Sequence, residues 1–305
     1  MKRKNLSRFC NTPENGSEPL KETNMEKLLM IHADDAGLSE SENRATIECL
    51  KKGLVSSYSI MVPCRGFQEI ALFAKENPTY DHGIHLTLTC EWHGHRFGPV
   101  SPSEEVASLV DENGHFYKTR QELKEHAKPD EVRKELNAQL EMALEFGLRP
   151  SHIDSHMYSV GANPEFFEIY RELGKQYGLP VFINKKLLKD VGLQPDKVLK
   201  QNDFVVEHAH LATFEHFKKG HLKTFYLDAI ENLPIGLNVL LVHPAPDNAE
   251  MKAITVNHPN FGSKWRQMDY ETLTSEELRA TLVENNVRLV SWKEISKIQQ
   301  VQNRV

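Results

Sequence analysis

The 305-residue sequence has no apolar run approaching the ~18 residues that cross a bilayer, so no membrane partner is expected. It has no basic excess: 37 Lys and Arg stand against 43 Asp and Glu, a net charge of −6. That balance argues against a nucleic-acid partner. Cysteine is scarce. Cys10, Cys49, Cys64 and Cys90 form no C-x-x-C pair, which excludes a thiolate zinc site or a redox dithiol of the usual spacing. No G-x-G-x-x-G or G-x-x-x-x-G-K-[ST] follows an apolar run, which weakens nucleotide-binding readings. The basic start MKRKNLSR has no apolar segment behind it and does not read as a secretory leader. Together with the sparse thiols, this points to a cytoplasmic setting. No internal repeat is visible.

What is present is alternation. Residues 1–24 are polar and read as a flexible extension, and 299–305 as a frayed tail. Between them, 25–298 read as a single domain. LLMIHADD, LVSSYSIMV, HGIHLTLTC, PSHIDSHM, LPVFIN, DFVVEHAHL, GLNVLLVHP and VRLVSW read as strands, separated by helix-period segments. Ser39 with Glu42, and Thr274 with Glu277, have capping-box spacing; Asn163-Pro164 opens a helix; Gly53 and Gly147 close two. Val132, Leu136, Leu140, Ala143 and Leu144 share one helical face. About eight strand–helix alternations predict an α/β fold, a (β/α) barrel of parallel strands first and an open doubly wound sheet second. The stretch from Glu91 to Ala127 interrupts the alternation, and a loop of that length is usually functional.

Four strand ends are dense in polar groups: His32-Ala33-Asp34-Asp35-Ala36-Gly37, Gly83-Ile84-His85, His152-Ile153-Asp154-Ser155-His156, and Val242-His243-Pro244. In a parallel barrel the C-terminal strand ends share one rim, so these residues would meet. His152, Asp154 and His156 alternate with Ile153 and Ser155 and project from one strand face. One carboxylate with two imidazoles is a common ligand set for a catalytic divalent metal, and a second carboxylate can take a proton from its water. The adjacent pair Asp34-Asp35 can divide those two roles.

With these residues in view, the sequence resembles the YdjC-like family of carbohydrate deacetylases. The resemblance rests on ADDAGLSESENRATIECLKKGLVSS, GIHLTL, PSHIDSH and the late His-Pro, in order over residues 27 to about 295. It implies a deformed, TIM-like (β/α) barrel related to polysaccharide deacetylases. It implies removal of an acetyl group from an N-acetylglucosamine-containing oligosaccharide, such as a chitin disaccharide or its phosphorylated form. By the same resemblance, Asp35, His85 and His156 bind one divalent metal, Asp34 is the general base and His243 the acid for the leaving amine. Asp154 orients a ligand or the substrate, and His152 stands with it. Where some members continue a histidine-rich run, this chain has Met157-Tyr158-Ser159-Val160, which leaves Tyr158 to hydrogen-bond or stack on a sugar. Trp92, His93, His95 and Arg96 are candidates for a sugar subsite. Arg266 and Asp269 are candidates to face the site.

A His₂Asp set accepts zinc, cobalt, manganese or iron, and magnesium where water completes the shell. The resemblance favours magnesium; ligand chemistry favours zinc. Two other readings compete: a metal-free glycoside hydrolase, and a metal- and sugar-binding protein without catalysis. Adjacent acids straddle a glycosidic bond poorly, which disfavours the first. Retention of Asp34 disfavours the second. Barrels of this kind often form homodimers.

Overall fold

The computed structural model describes residues 26–296. The expected extension 1–24 and tail 299–305 lie outside the described residues. Seven strands appear: β1 Lys27–Ala36, β2 Ser57–Ile60, β3 His82–Leu86, β4 Ile153–Ser155, β5 His208–His210, β6 Gly236–Val242 and β7 Arg288–Leu289. Every pairing is parallel, in the order β4-β3-β2-β1-β6-β5. The run Leu28–Ile31 is buried throughout, as expected of a parallel strand covered on both faces.

The edges β4 and β5 do not stay open. Phe182 N–H donates to the Ile153 carbonyl (2.9 Å) and Ile153 N–H to that of Pro180 (3.0 Å). Val206 N–H, leading into β5, donates to the Ile183 carbonyl (2.8 Å). The segment LPVFIN, expected as a full strand, is thus a one-residue bridge between Val181 and Ile153, yet it closes the ring. β7 pairs with Leu28 and Leu29 of β1, ahead of His32, where β1 begins to pair with Ser57 of β2. The result is the deformed (β/α) barrel rather than an open sheet.

The helices are α1 Glu40–Lys52, α2 Phe67–Glu76, α3 Arg120–His126, α4 Pro129–Phe146, α5 Pro164–Tyr177, α6 Lys185–Asp190, α7 Pro195–Val198, α8 Phe214–Lys218, α9 Leu222–Glu231, α10 Ala249–Ile254, α11 Ser263–Leu273 and α12 Glu276–Glu284. None among the described residues is long and apolar enough to cross a membrane. Asn163 caps α5, with Pro164 at its first position. Ser39 caps α1 by accepting from Glu42 N–H, but the return bond of a capping box is absent, because the Glu42 carboxylate turns inward to Arg266. Ser275, not Thr274, caps α12; the Thr274 hydroxyl donates back to the Tyr270 carbonyl and ends α11 instead. Leu144, expected on the buried face of α4, is 39% exposed. The Glu91–Ala127 stretch is packed rather than loose. Trp92, Phe97, Val106, Leu109, Phe116 and Leu123 are buried, and the buried Glu135 of α4 accepts from Val100 and Ser101 N–H.

Candidate metal centre

At the end of β1 the chain must turn sharply while presenting two carboxylates. Asp35 takes a left-handed conformation (φ 65°) and Gly37 follows at φ 102°. A Cβ on Gly37 would stand 2.9 Å from the Met61 carbonyl oxygen, so only glycine fits this close approach. Gly37 N–H donates to Asn43 Oδ1 (2.7 Å) and Met61 N–H to the Ala36 carbonyl (2.7 Å), which fixes the turn. Met157, Tyr158 and Phe261 also lie in the left-handed region around the same cavity. Such strain persists only where the surroundings hold it, and it gathers at functional sites.

The turn brings Asp35 to two histidines. Asp35 Oδ1 lies 2.9 Å from His156 Nδ1 and 3.4 Å from His85 Nε2. All three side chains are buried, and their ligating atoms lie within 4.8 Å of one another. The far nitrogens face carboxylates: His85 Nδ1 lies 2.8 Å from Asp154 Oδ1, and His156 Nε2 lies 2.9 Å from Glu91 Oε2. Once the near nitrogen gives up its proton, the far N–H held by a carboxylate leaves that nitrogen's lone pair directed at the Asp35 side. This is how metal-ligating histidines are held, and the donor set fits a divalent cation.

Charge surrounds the group on every side. The Arg266 guanidinium donates to Asp35 Oδ2 (2.6 Å), lies 2.9 Å from Glu42 Oε1 and covers the face of Trp92 at 5.2 Å. Burial opposes ionisation of Asp35, yet His156 and Arg266 hold its carboxyl well below the usual range. Burial disfavours the charged form of His156, but Glu91 and Asp35 raise it to about 9. His85 is likewise raised against burial by Asp154 and Asp34. Glu42 is pushed by burial up to about 8.

Asp34 points elsewhere. Its Oδ2 lies 3.7 Å from His243 Nε2, and burial lifts its carboxyl to about 6. His243 is pushed by burial down to about 3 and is neutral in the metal-free site. Its backbone N–H donates to Asp269 Oδ2 (2.9 Å), and Asp269 also accepts from the Tyr226 hydroxyl (2.5 Å). Asp269 therefore places the strand end that carries His243 without lining the cavity.

The cavity above these groups has a volume of about 380 Å³. Asp34, Asp35, His85, Asp154, His156, Tyr158, His243 and Arg266 all line it. Tyr158 is buried, and its hydroxyl has no partner among the described residues. Four expected neighbours are placed differently. Trp92 is fully buried beneath Arg266. His93 is exposed. Arg96 donates to the Cys90 and Phe116 carbonyls and to Asp111. His95 is held beside Cys90, whose thiol donates to its carbonyl (3.3 Å). None of the four is among the cavity's lining residues. His152 is also outside it, fully buried below Asp154 and stacked on Trp292. Sequence reasoning missed Glu91, Arg120, His258 and Phe261, which do line it. Glu91 carried the one available signal, an acid immediately after the third apolar run.

The protein-family profile described as YdjC-like protein matches residues 28–284. A carbohydrate deacetylase of Brevibacillus brevis is 31% identical over 277 residues, covering 88% of this chain and 99% of that one. A chitooligosaccharide deacetylase of Proteus mirabilis is 28% identical over 283 residues, covering 89% and 100%. A crystal structure of a candidate cellobiose-phosphate cleavage protein from Enterococcus faecalis V583 superposes with a TM-score of 0.72. It is 27% identical and covers 88% of this chain and 99% of that one.

Proposed function

This chain belongs to the YdjC-like family, and from that premise we propose that it is a divalent-metal-dependent hydrolase that removes the acetyl group from an N-acetylated amino sugar in a short oligosaccharide. The observation that carries this reading is the division of labour at the end of β1. Asp35 joins His85 and His156, while its neighbour Asp34 stands free beside His243. The deacetylase names of the relatives supply the substrate class. The cavity is of a size for one or two sugar rings.

Asp35, His85 and His156 would hold the cation, which when bound supplies Lewis-acid polarisation and a more acidic water. Asp34 Oδ2 takes a proton from the water that attacks the acetyl carbon. That proton crosses to His243 Nε2, 3.7 Å away, and passes to the amine nitrogen as the C–N bond breaks. Acetate and the free amino sugar leave. Arg266 keeps Asp35 ionised and in place throughout. Zinc and magnesium both suit the donor set, with manganese and cobalt close behind.

Asp34→Asn tests the assignment. Acetate release is expected to fall by about 10²- to 10⁴-fold while metal content, measured by atomic emission, stays at the wild-type level. In the wild type, activity rises with pH as the Asp34 carboxyl ionises; burial sets that step at about 6, and the cation lowers it. An Asp34→Asn protein with wild-type turnover removes Asp34 from the mechanism.

A further inference from the structure

The barrel interior beneath the metal centre is occupied by imidazole rings that the proposed chemistry does not use. His32 and His152 are both buried. His32 Nε2 lies 2.9 Å from Asp154 Oδ2, 3.2 Å from Ser59 Oγ and 3.3 Å from Asp34 Oδ1. An ionised carboxylate at 2.9 Å requires the proton to be on Nε2, since two acceptors do not approach so closely without one. Ser59 Oγ also faces His85 Nδ1 at 3.0 Å, so its lone pairs take up the space between the two rings.

Asp34 Oδ1 is buried and makes no hydrogen bond among the described residues. His32 Nε2 stands 3.3 Å from it, and His85 and Asp154 also lie close to the carboxylate. The carboxylate therefore has two distinct oxygens: Oδ1 turned inward to His32, and Oδ2 turned outward to His243 and the cavity. The His32 ring is itself wedged. His152 stands edge-on against it, ring centres 5.1 Å apart at 71°. His152 is stacked on Trp292 at 4.9 Å and 20°. Its Nδ1 is tied to Ser151 Oγ at 2.9 Å. Gly83 leaves the room it needs, because a Cβ there would stand 2.4 Å from the His152 ring. A column of Trp292, His152 and His32 thus rises through the barrel and ends against Asp34.

We infer that His32 is the positioning residue of Asp34: its Nε2–H, held by Asp154, stands 3.3 Å from Asp34 Oδ1 and keeps that oxygen turned inward, which leaves Oδ2 to face the reacting water. A base must present one lone pair in one direction, and the column keeps that direction set before substrate arrives. The inference rests on the deacetylase reading above.

The test compares His32→Leu with His32→Gln in metal-loaded protein, with Asp34→Asn as reference. His32→Leu is expected to lower kcat for acetate release about 10- to 100-fold, with KM and metal content unchanged. His32→Gln, whose amide N–H reaches toward the same place, is expected to recover most of that loss. A purely structural role would instead lower metal content and thermal midpoint, and leave Gln no better than Leu. His32→Leu with kcat within twofold of wild type at full metal content overturns the inference. Nitrogen-15 NMR of the imidazole rings gives a readout that needs neither turnover nor a folded His32 variant. His32 should carry its proton on Nε2, with a resonance that moves in Asp34→Asn. A resonance that does not move overturns the inference even if no acetate is released. A wild-type protein that holds metal and releases no acetate refutes the deacetylase reading separately.

Discussion

A carboxylate on the far nitrogen of each histidine separates a ligand set from a cluster of buried polar groups. Asp154 does this for His85 and Glu91 for His156, both below 3 Å. Two outcomes follow at this scale. Glu91→Ala should weaken metal binding by about 10- to 100-fold in a competition titration with a chelator, and Glu91→Gln, which still accepts a bond, by less. An affinity unchanged in Glu91→Ala would detach Glu91 from the centre. The second concerns pH. In the metal-free protein His156 is raised to about 9. Its stabilising charge is fully present below the unfolded value near ~6.5 and is lost as pH rises through about 9. A cation needs the neutral ring, so uptake at pH 8 should expel a proton and tighten with pH. Calorimetry in two buffers of different ionisation enthalpy measures this directly, and an apparent heat independent of buffer would contradict it.

Among the elements, the sequence was most legible where one physical cause dominates. The strands β1, β3 and β6 read from buried apolar runs and β4 from the alternation of His152, Asp154 and His156, and their polar ends read as a rim because parallel strands share direction. Legibility failed where two partners compete for one group. Glu42 has the spacing of a capping box but answers to the buried Arg266, some 220 residues away and invisible to local pattern. Thr274 has the composition of a cap, but its hydroxyl finds the Tyr270 carbonyl first. LPVFIN reads as a strand, yet only one residue of it pairs with β4. The turn after β1 supports a prediction of its own. Gly37→Ala must adopt φ 102° and meet the Met61 carbonyl, so urea unfolding should show a loss of about 1–3 kcal/mol. No measurable loss would mean that the turn is not held as described.

For the whole molecule, closure of the ring decides which distant residues meet. Asp35, His85 and His156 are separated by 50 and 71 residues and converge because their strands end on one rim. That much was readable from strand order. The partners of Glu91 and His32 were not, because they depend on how the 91–127 stretch folds over the rim and on how Trp292 and His152 pack beneath it. Trp92 shows the same limit in reverse: an aromatic in a candidate sugar loop is in fact the plate beneath Arg266. The central claim is that these converged groups hold a cation with which acetyl groups are removed. Its most direct test is acetate release from N,N′-diacetylchitobiose and its 6-phosphate by chelated protein to which zinc, magnesium, manganese or cobalt is restored in turn. The account predicts no release without metal and release restored by at least one ion, lost again in His156→Ala. Equal release with and without metal, or full activity in metal-free His156→Ala, would contradict it.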